Sequence, residues 1–306
     1  MVDNDNEKEF EEVDVAPIGE GDMPALRNGN NFPRIFDIFV ILGLFLFSQL
    51  VVSFLTLLFG VDMPDLVGVD EFDVEHFIGM QVSRGESFAM IYPISMLVAF
   101  LSIALYVRHR DGEWQIVRFS RKGLNPNVIL GGLVWLVSSQ IVLEPLMELL
   151  PAASQQGVGR GFWAIMVAVV FAPFFEEIIF RGVIFESLRR RWGKLMSVSL
   201  SAFLFALVHF DIAVSVTAFV AGFIFGIVRL RTHSVIATII LHSINNAVAF
   251  ALITFGLTEF SFHNIFADGT AYAVFYAISL LIFVAVSFDF CKSVFRRRKG
   301  VVETIE

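Results

Sequence analysis

The sequence predicts an all-α fold: a multi-pass transmembrane bundle of about eight helices, flanked by polar tails. Three observations predict it. Apolar residues make up 56% of the 306-residue chain and charged residues only 17%, against about 45–50% and about 25% in soluble domains. The mean hydropathy is +0.73, and the 35 phenylalanines fall among long runs without charge, so the main solvent is lipid. Finally, Lys and Arg are sorted between alternate connections of those runs, as the positive-inside rule requires of a membrane bundle.

Taken in order, residues 1–33 form an acidic tail. Its first 32 residues hold nine acids against Lys8 and Arg27, and their Asn, Gly and Pro content is too polar to bury a core. This segment is expected to be disordered. No cleavable signal peptide is expected in it, because its start is acidic and the first apolar run comes late.

The membrane domain is expected over residues 34–295. A helix needs about 20 apolar residues to cross the hydrocarbon core, and eight segments qualify: Ile38–Phe59, Phe88–Val107, Asn127–Leu143, Gly161–Phe180, Met196–Phe210, Ile212–Val228, Ser234–Phe255 and Thr270–Phe290. The third is expected to stop at Glu144-Pro145, since proline removes a backbone donor. At roughly 1.5 Å per residue the fifth and sixth are short for a full span, so their turn, "VHFDIA", is expected to lie at depth and line a water-filled cavity. Residues 296–306 form a short tail, basic and then acidic.

With the N-terminus inside, 20 of the 22 basic residues fall on inner segments, leaving only Arg84 and Arg160 outside. Both termini are therefore expected to be cytoplasmic, in the plasma membrane of a prokaryotic cell. Outside the two acidic stretches, residues 1–32 and 61–87, the chain carries about +5, which suits contact with anionic lipid headgroups. This balance gives no support to nucleic-acid binding. The single cysteine, Cys291, excludes an internal disulfide framework and a Cys-based zinc ribbon.

Ionisable groups inside a span cost several kcal/mol and are functional-site candidates by default. The segments offer Glu176, Glu177 and Arg181 on the fourth, His209 at the end of the fifth, and His242, Asn245 and Asn246 on the seventh. The other helices offer little beyond Ser, Thr and Gln. Glu177 and Arg181 stand four residues apart and can pair on one face. Glu176 is rotated by about 100° from Glu177, so that pair would leave it the less neutralised carboxylate, suited to take a proton from water. His242 and Asn246 again share a face, an imidazole and an amide able to hold an oxyanion. Each feature has a plainer reading: Glu177–Arg181 as a structural clamp, the histidines as interhelical hydrogen bonds, Asn245 and Asn246 as helix glue. Gly222-x-x-x-Gly226 reads as a close packing face. Glu144 and Glu148 are expected to border water. What the plainer readings explain badly is the clustering on three helices. Soluble-enzyme motifs such as HExxH, GxSxG or a P-loop are absent.

The residues also fit an ordered trio of motifs: EExxxR at Glu176, Glu177 and Arg181, FxxxH at Phe205 and His209, and HxxxN at His242 and Asn246. The set resembles the CPBP family of intramembrane proteases, which includes type II CAAX prenyl endopeptidases and the bacterial bacteriocin-processing and immunity (Abi) proteins. It covers about a quarter of the chain, within a motif-bearing core at about 161–255. The resemblance implies an eight-helix membrane fold with an intramembrane cavity open to water. It implies that Glu176 activates the attacking water, His209 assists, and His242 and Asn246 stabilise the oxyanion. Glu177, Arg181 and Phe205 would support and orient them. It leaves metal dependence open: His209 and His242 with a glutamate could hold Zn2+ by ligand type, but no short-range spacing demands it. The expected function is an intramembrane endopeptidase acting on a membrane-associated peptide or protein, with membrane lipids as the other partners. The alternatives are a non-proteolytic immunity or regulatory protein that keeps the pocket as a scaffold, and a transporter. Against transport, the chain shows no inverted repeat.

Overall fold

In the computed structural model, the described residues are 32–58, 74–112, 117, 119–120, 124–151, 160–255, 261–266 and 268–295. The 296–306 tail and residues 1–31 of the N-terminal tail lie outside them, as do residues 61–73 of the second acidic stretch. Among the described residues every regular element is a helix. The elements are α1 (Ile35–Leu58), α2 (Val74–Asp111), α3 (Pro126–Met147), a long helical stretch Gly161–Leu207, α6 (Ile212–Thr232), α7 (Val235–Thr254), the one-turn α8 (Phe262–Ile265) and α9 (Gly269–Phe295). Seven of them are long and apolar enough to cross a membrane, counting Gly161–Leu207 as one.

That stretch breaks at Gly193, whose φ of 78° and ψ of −174° are non-helical. No L side chain adopts this conformation readily. The break defines two arms, α4 (161–192) and α5 (194–207), which correspond to the fourth and fifth predicted segments, so the eight-segment bundle holds. Its boundaries differ. α4 runs well past Phe180, because an apolar-length criterion does not register the polar continuation. There Arg189 pairs with Glu186, and Arg190 holds Asp111 of α2 at 2.8 Å. α2 likewise begins before Phe88.

The expected stop at Glu144-Pro145 is a correction: α3 continues to Met147 with Pro145 inside it. A proline in the last turn removes only one donor, and the ladder resumes when Glu148 N–H donates to Glu144 O at 3.1 Å. Glu144 is half-buried and does more than border water. Its Oε1 accepts from Ser261 Oγ at 2.6 Å and His263 N–H at 3.2 Å, and its Oε2 from Tyr272 OH at 3.1 Å. It ties α8 and the start of α9 to α3.

A second polar cluster was hidden by the predicted bounds of the first two segments, which excluded Asp37 and Arg110. Asp37, fully buried at the start of α1, accepts from Tyr106 OH at 2.6 Å and Arg110 Nε at 2.8 Å, both on α2. The expectation that the other helices carry little beyond Ser, Thr and Gln therefore fails here.

Two apolar clusters form the interior. One joins α1, α2, α4 and α5 through Phe45, Met96, Ile103, Phe180 and Phe205. The other joins α3, α6, α7, α9 and the far end of α4 through Trp135, Phe185, Phe225, Leu241 and Phe290. Large apolar side chains such as Phe36, Leu50 and Leu281 point outward, as lipid solvation allows. α5 and α6 approach closely through small residues, as membrane helices do. A Cβ added at Gly226 would lie 3.1 Å from a Val198 methyl, and one at Gly222 only 3.2 Å from Ala202 Cα.

Candidate active site

α4 is not a uniform α-helix. Residues 166–171 and 178–184 are wound as π-helix, and the α-helical turn between them, Ala172–Glu177, carries the two glutamates. Such wider turns are rare and concentrate at functional sites. Here they flank the two carboxylates and free backbone carbonyls for side-chain partners. Ala168 O accepts from Asn246 Nδ2 at 3.0 Å.

Glu177 and Arg181 form the predicted pair. Arg181 Nη1 lies 3.0 Å from Glu177 Oε1, with both side chains fully buried. Their desolvation is offset by more than the pair itself, as a buried charge requires. Arg181 Nη2 donates to Gly222 O at 3.1 Å, and the guanidinium lies 4.4 Å from the Phe205 ring centre and 5.4 Å from that of Phe225. Gly222 thus has a second role beyond close packing: a Cβ there would come within 3.0 Å of Arg181 Nη2.

Glu177 also holds His242. The Nδ1 of His242 stands 3.1 Å from Glu177 Oε1, and next to an ionised carboxylate that nitrogen carries the hydrogen. The other ring nitrogen, Nε2, is then turned toward Glu176 Oε2 at 3.9 Å. The His242 ring stacks on Phe225 with centroids 5.2 Å apart and meets the edge of Phe205 at 5.6 Å.

Glu176 has different surroundings. Its side chain is 16% exposed, and its Oε1 accepts from Tyr92 OH of α2 at 2.7 Å. Sequence reasoning missed Tyr92, because it sought partners for Glu176 at helical spacing and no spacing rule reaches 84 residues back. One signal was available: a tyrosine within an apolar span needs a partner for its hydroxyl.

His209 lies in the turn between α5 and α6. Its Nδ1 faces Phe205 O at 2.8 Å, and its ring packs edge-on to Phe205 at 4.9 Å. That single phenylalanine therefore touches Arg181, His209 and His242. Asn245 contacts its neighbour, with Nδ2 3.5 Å from Asn246 Oδ1. The structure brings Glu176, Glu177, Arg181, Phe205, His242 and Tyr92 into one group, with His209 and Asn246 joined through Phe205 and Ala168. At the α5–α6 turn there is a recess of about 560 Å³, lined by Leu42, Leu46, Phe203, Phe210 and Ile212 among others, and neither Glu176 nor the two histidines line it.

The donor set bears on metal ligation. Both histidines have Nδ1 engaged, by Phe205 O and by Glu177, an outer-shell pattern typical of metal-bound imidazoles. Among the described residues, however, no group of three His, Cys, Asp or Glu side chains is placed to hold an ion. As they stand, these residues do not fit a zinc with three protein ligands.

A family model for type II CAAX prenyl endopeptidase Rce1-like proteins matches residues 159–248. Over this segment the chain is similar to that family, which supports the resemblance to CPBP intramembrane proteases. All of Glu176, Glu177, Arg181, Phe205, His209, His242 and Asn246 fall within the matched segment, whereas Tyr92 and the Asp37 cluster fall outside it. No curated protein and no solved structure matches the chain.

Proposed function

We propose that the chain is an intramembrane endopeptidase that hydrolyses a peptide bond of a membrane-associated peptide or protein by glutamate-activated water. One observation carries the reading. Of two adjacent glutamates, Glu177 is fully buried against Arg181 and His242, while Glu176 is partly exposed between a hydroxyl and an imidazole. A general base must be reachable by water and held in place, and Glu176 meets both conditions.

In the proposed reaction Tyr92 fixes Oε1 of Glu176, leaving Oε2 on the side of His242. Glu176 takes a proton from water as the water oxygen attacks the scissile carbonyl carbon. The carbonyl π electrons move onto oxygen, and the second amide hydrogen of Asn246, together with the Nε2–H of His242 in its imidazolium form, faces the resulting oxyanion. When the C–N bond breaks, Glu176 returns the proton to the leaving amine. His209 assists from the α5–α6 turn. Glu177 fixes the orientation of His242, Arg181 neutralises Glu177, and Phe205 spaces the two imidazoles and the guanidinium. The Lys and Arg distribution supports placing the basic ends of the helices, and both termini, on the cytoplasmic side.

The test is Glu176→Gln in reconstituted vesicles. The variant should insert and fold as the wild type does while cleavage falls by at least about 10²-fold, the general-base contribution. Retained cleavage would remove Glu176 from the mechanism. Unchanged cellular behaviour of the same variant would favour the scaffold reading.

A further inference from the structure

Asn245 does not act as a tie between helices. Helix glue requires a bond to a neighbouring helix, and Asn246 makes one, to Ala168 O of α4. Among the described residues Asn245 makes a single polar contact, its Nδ2 at 3.5 Å from Asn246 Oδ1 of the same helix. That is longer than the roughly 2.7–3.2 Å of an ordinary N–H···O bond. Its Oδ1 and its second amide hydrogen are left to water or a ligand.

Depth makes such an amide costly. α7 is a 20-residue helix, Val235–Thr254, and Asn245 stands ten residues from its start and nine from its end. At 1.5 Å per residue that is about 15 Å from either end, the middle of a hydrocarbon core about 30 Å thick. A half-buried carboxamide there, with its hydrogen bonds unmade to protein, is strongly disfavoured unless something polar reaches it.

The surface of α7 shows from which side it is reached. Asn245 and Asn246 flank His242, about 60° to one side of it and about 40° to the other. Toward the start of α7 this face is shut, with Val235 and Thr238 fully buried. Past the asparagines it opens, with Ala249 and Ile253 exposed. The site is therefore open at the two asparagines.

We propose that Asn245 is a substrate-binding residue at a water-filled mouth of the site, where it holds the main chain of an extended peptide. A residue in an extended strand presents its N–H and its C=O on the same side. With Asn246 facing the scissile carbonyl oxygen, Asn245 Oδ1 accepts the N–H of the residue that carries that carbonyl. Proline at that position has no N–H to offer and is disfavoured. The peptide assignment rests on the endopeptidase reading, whereas the mouth does not.

The experiment has two arms. Cys291 is the only cysteine, so in Cys291→Ser an introduced thiol stands alone. In phosphatidylcholine vesicles a charged, water-soluble maleimide should label Asn245→Cys at least about tenfold faster than Ala247→Cys. Ala247 is exposed at the same depth but about 160° around the helix from Asn245. Equal labelling would overturn the mouth. The second arm uses a quenched-fluorescent peptide built on a site cut in cells by the wild type and not by Glu176→Gln. Asn245→Ala should raise KM about tenfold with kcat nearly unchanged, the loss of one hydrogen bond. N-methylation of the residue before the scissile bond should weaken kcat/KM about tenfold for the wild type and no further for Asn245→Ala. An unchanged KM in Asn245→Ala, or an equal methylation penalty in both proteins, would overturn the main-chain contact. Absence of any Glu176-dependent site would overturn the peptide assignment together with the endopeptidase reading, and the labelling ratio would still decide the mouth.

Discussion

Glu176 and Glu177 are chemically identical neighbours that one turn of α4 sends into opposite surroundings. The division was partly legible in the sequence, because the i,i+4 relation of Glu177 and Arg181 assigns one carboxylate a partner and leaves the other without. Not legible was that Glu177 is shared with His242, or that Tyr92 holds Glu176, since both contacts join helices far apart in the chain. Tyr92→Phe removes a hydrogen bond to a carboxylate and should lower kcat by about ten- to a hundredfold with KM nearly unchanged. Steady-state kinetics on a reconstituted substrate would show it, and an equal rise in KM would instead mark Tyr92 as a binding residue. Asn246→Ala should lower kcat by about 10²–10³-fold if its amide stabilises the oxyanion. An unchanged rate would return Asn246 to the role of a tie between α7 and Ala168.

Among the helices, the apolar runs located each spanning segment but not its ends. Length criteria see hydrocarbon, whereas ends are set by polar contacts: Glu186 with Arg189, Arg190 with Asp111, and Glu144 with α8 and α9. The π-wound turns of α4 left no trace in the pattern of residues, because the wider winding follows from how side chains of other helices meet its carbonyls. The glycine spacing in α6 did predict close packing, but not that the Gly222 carbonyl receives Arg181. Gly222→Ala should therefore act twice, lowering stability by about 1–3 kcal/mol through overpacking and lowering activity by displacing Arg181. Gly226→Ala, which meets a Val198 methyl at 3.1 Å, should cost stability without a matching loss of kcat. Thermal unfolding paired with turnover of the two variants separates these effects.

Across the whole molecule, Arg181 stands where the two apolar clusters meet, between Phe205 of one and Phe225 of the other. The site is thus part of what joins the halves of the bundle. Arg181→Met leaves Glu177 buried without its cation and should cost about 3–5 kcal/mol, whereas Arg191→Gln on the surface should stay within about 0.5 kcal/mol. Denaturant titration in detergent distinguishes the two. The proposed function makes Glu176 the group that cleaves membrane-associated substrates. The most direct measurement compares the N-termini of membrane proteins in cells carrying the wild-type chain and the Glu176→Gln variant at equal abundance. The account predicts a set of new N-termini present with the wild type and lost in the variant, and identical N-termini in the two would contradict it.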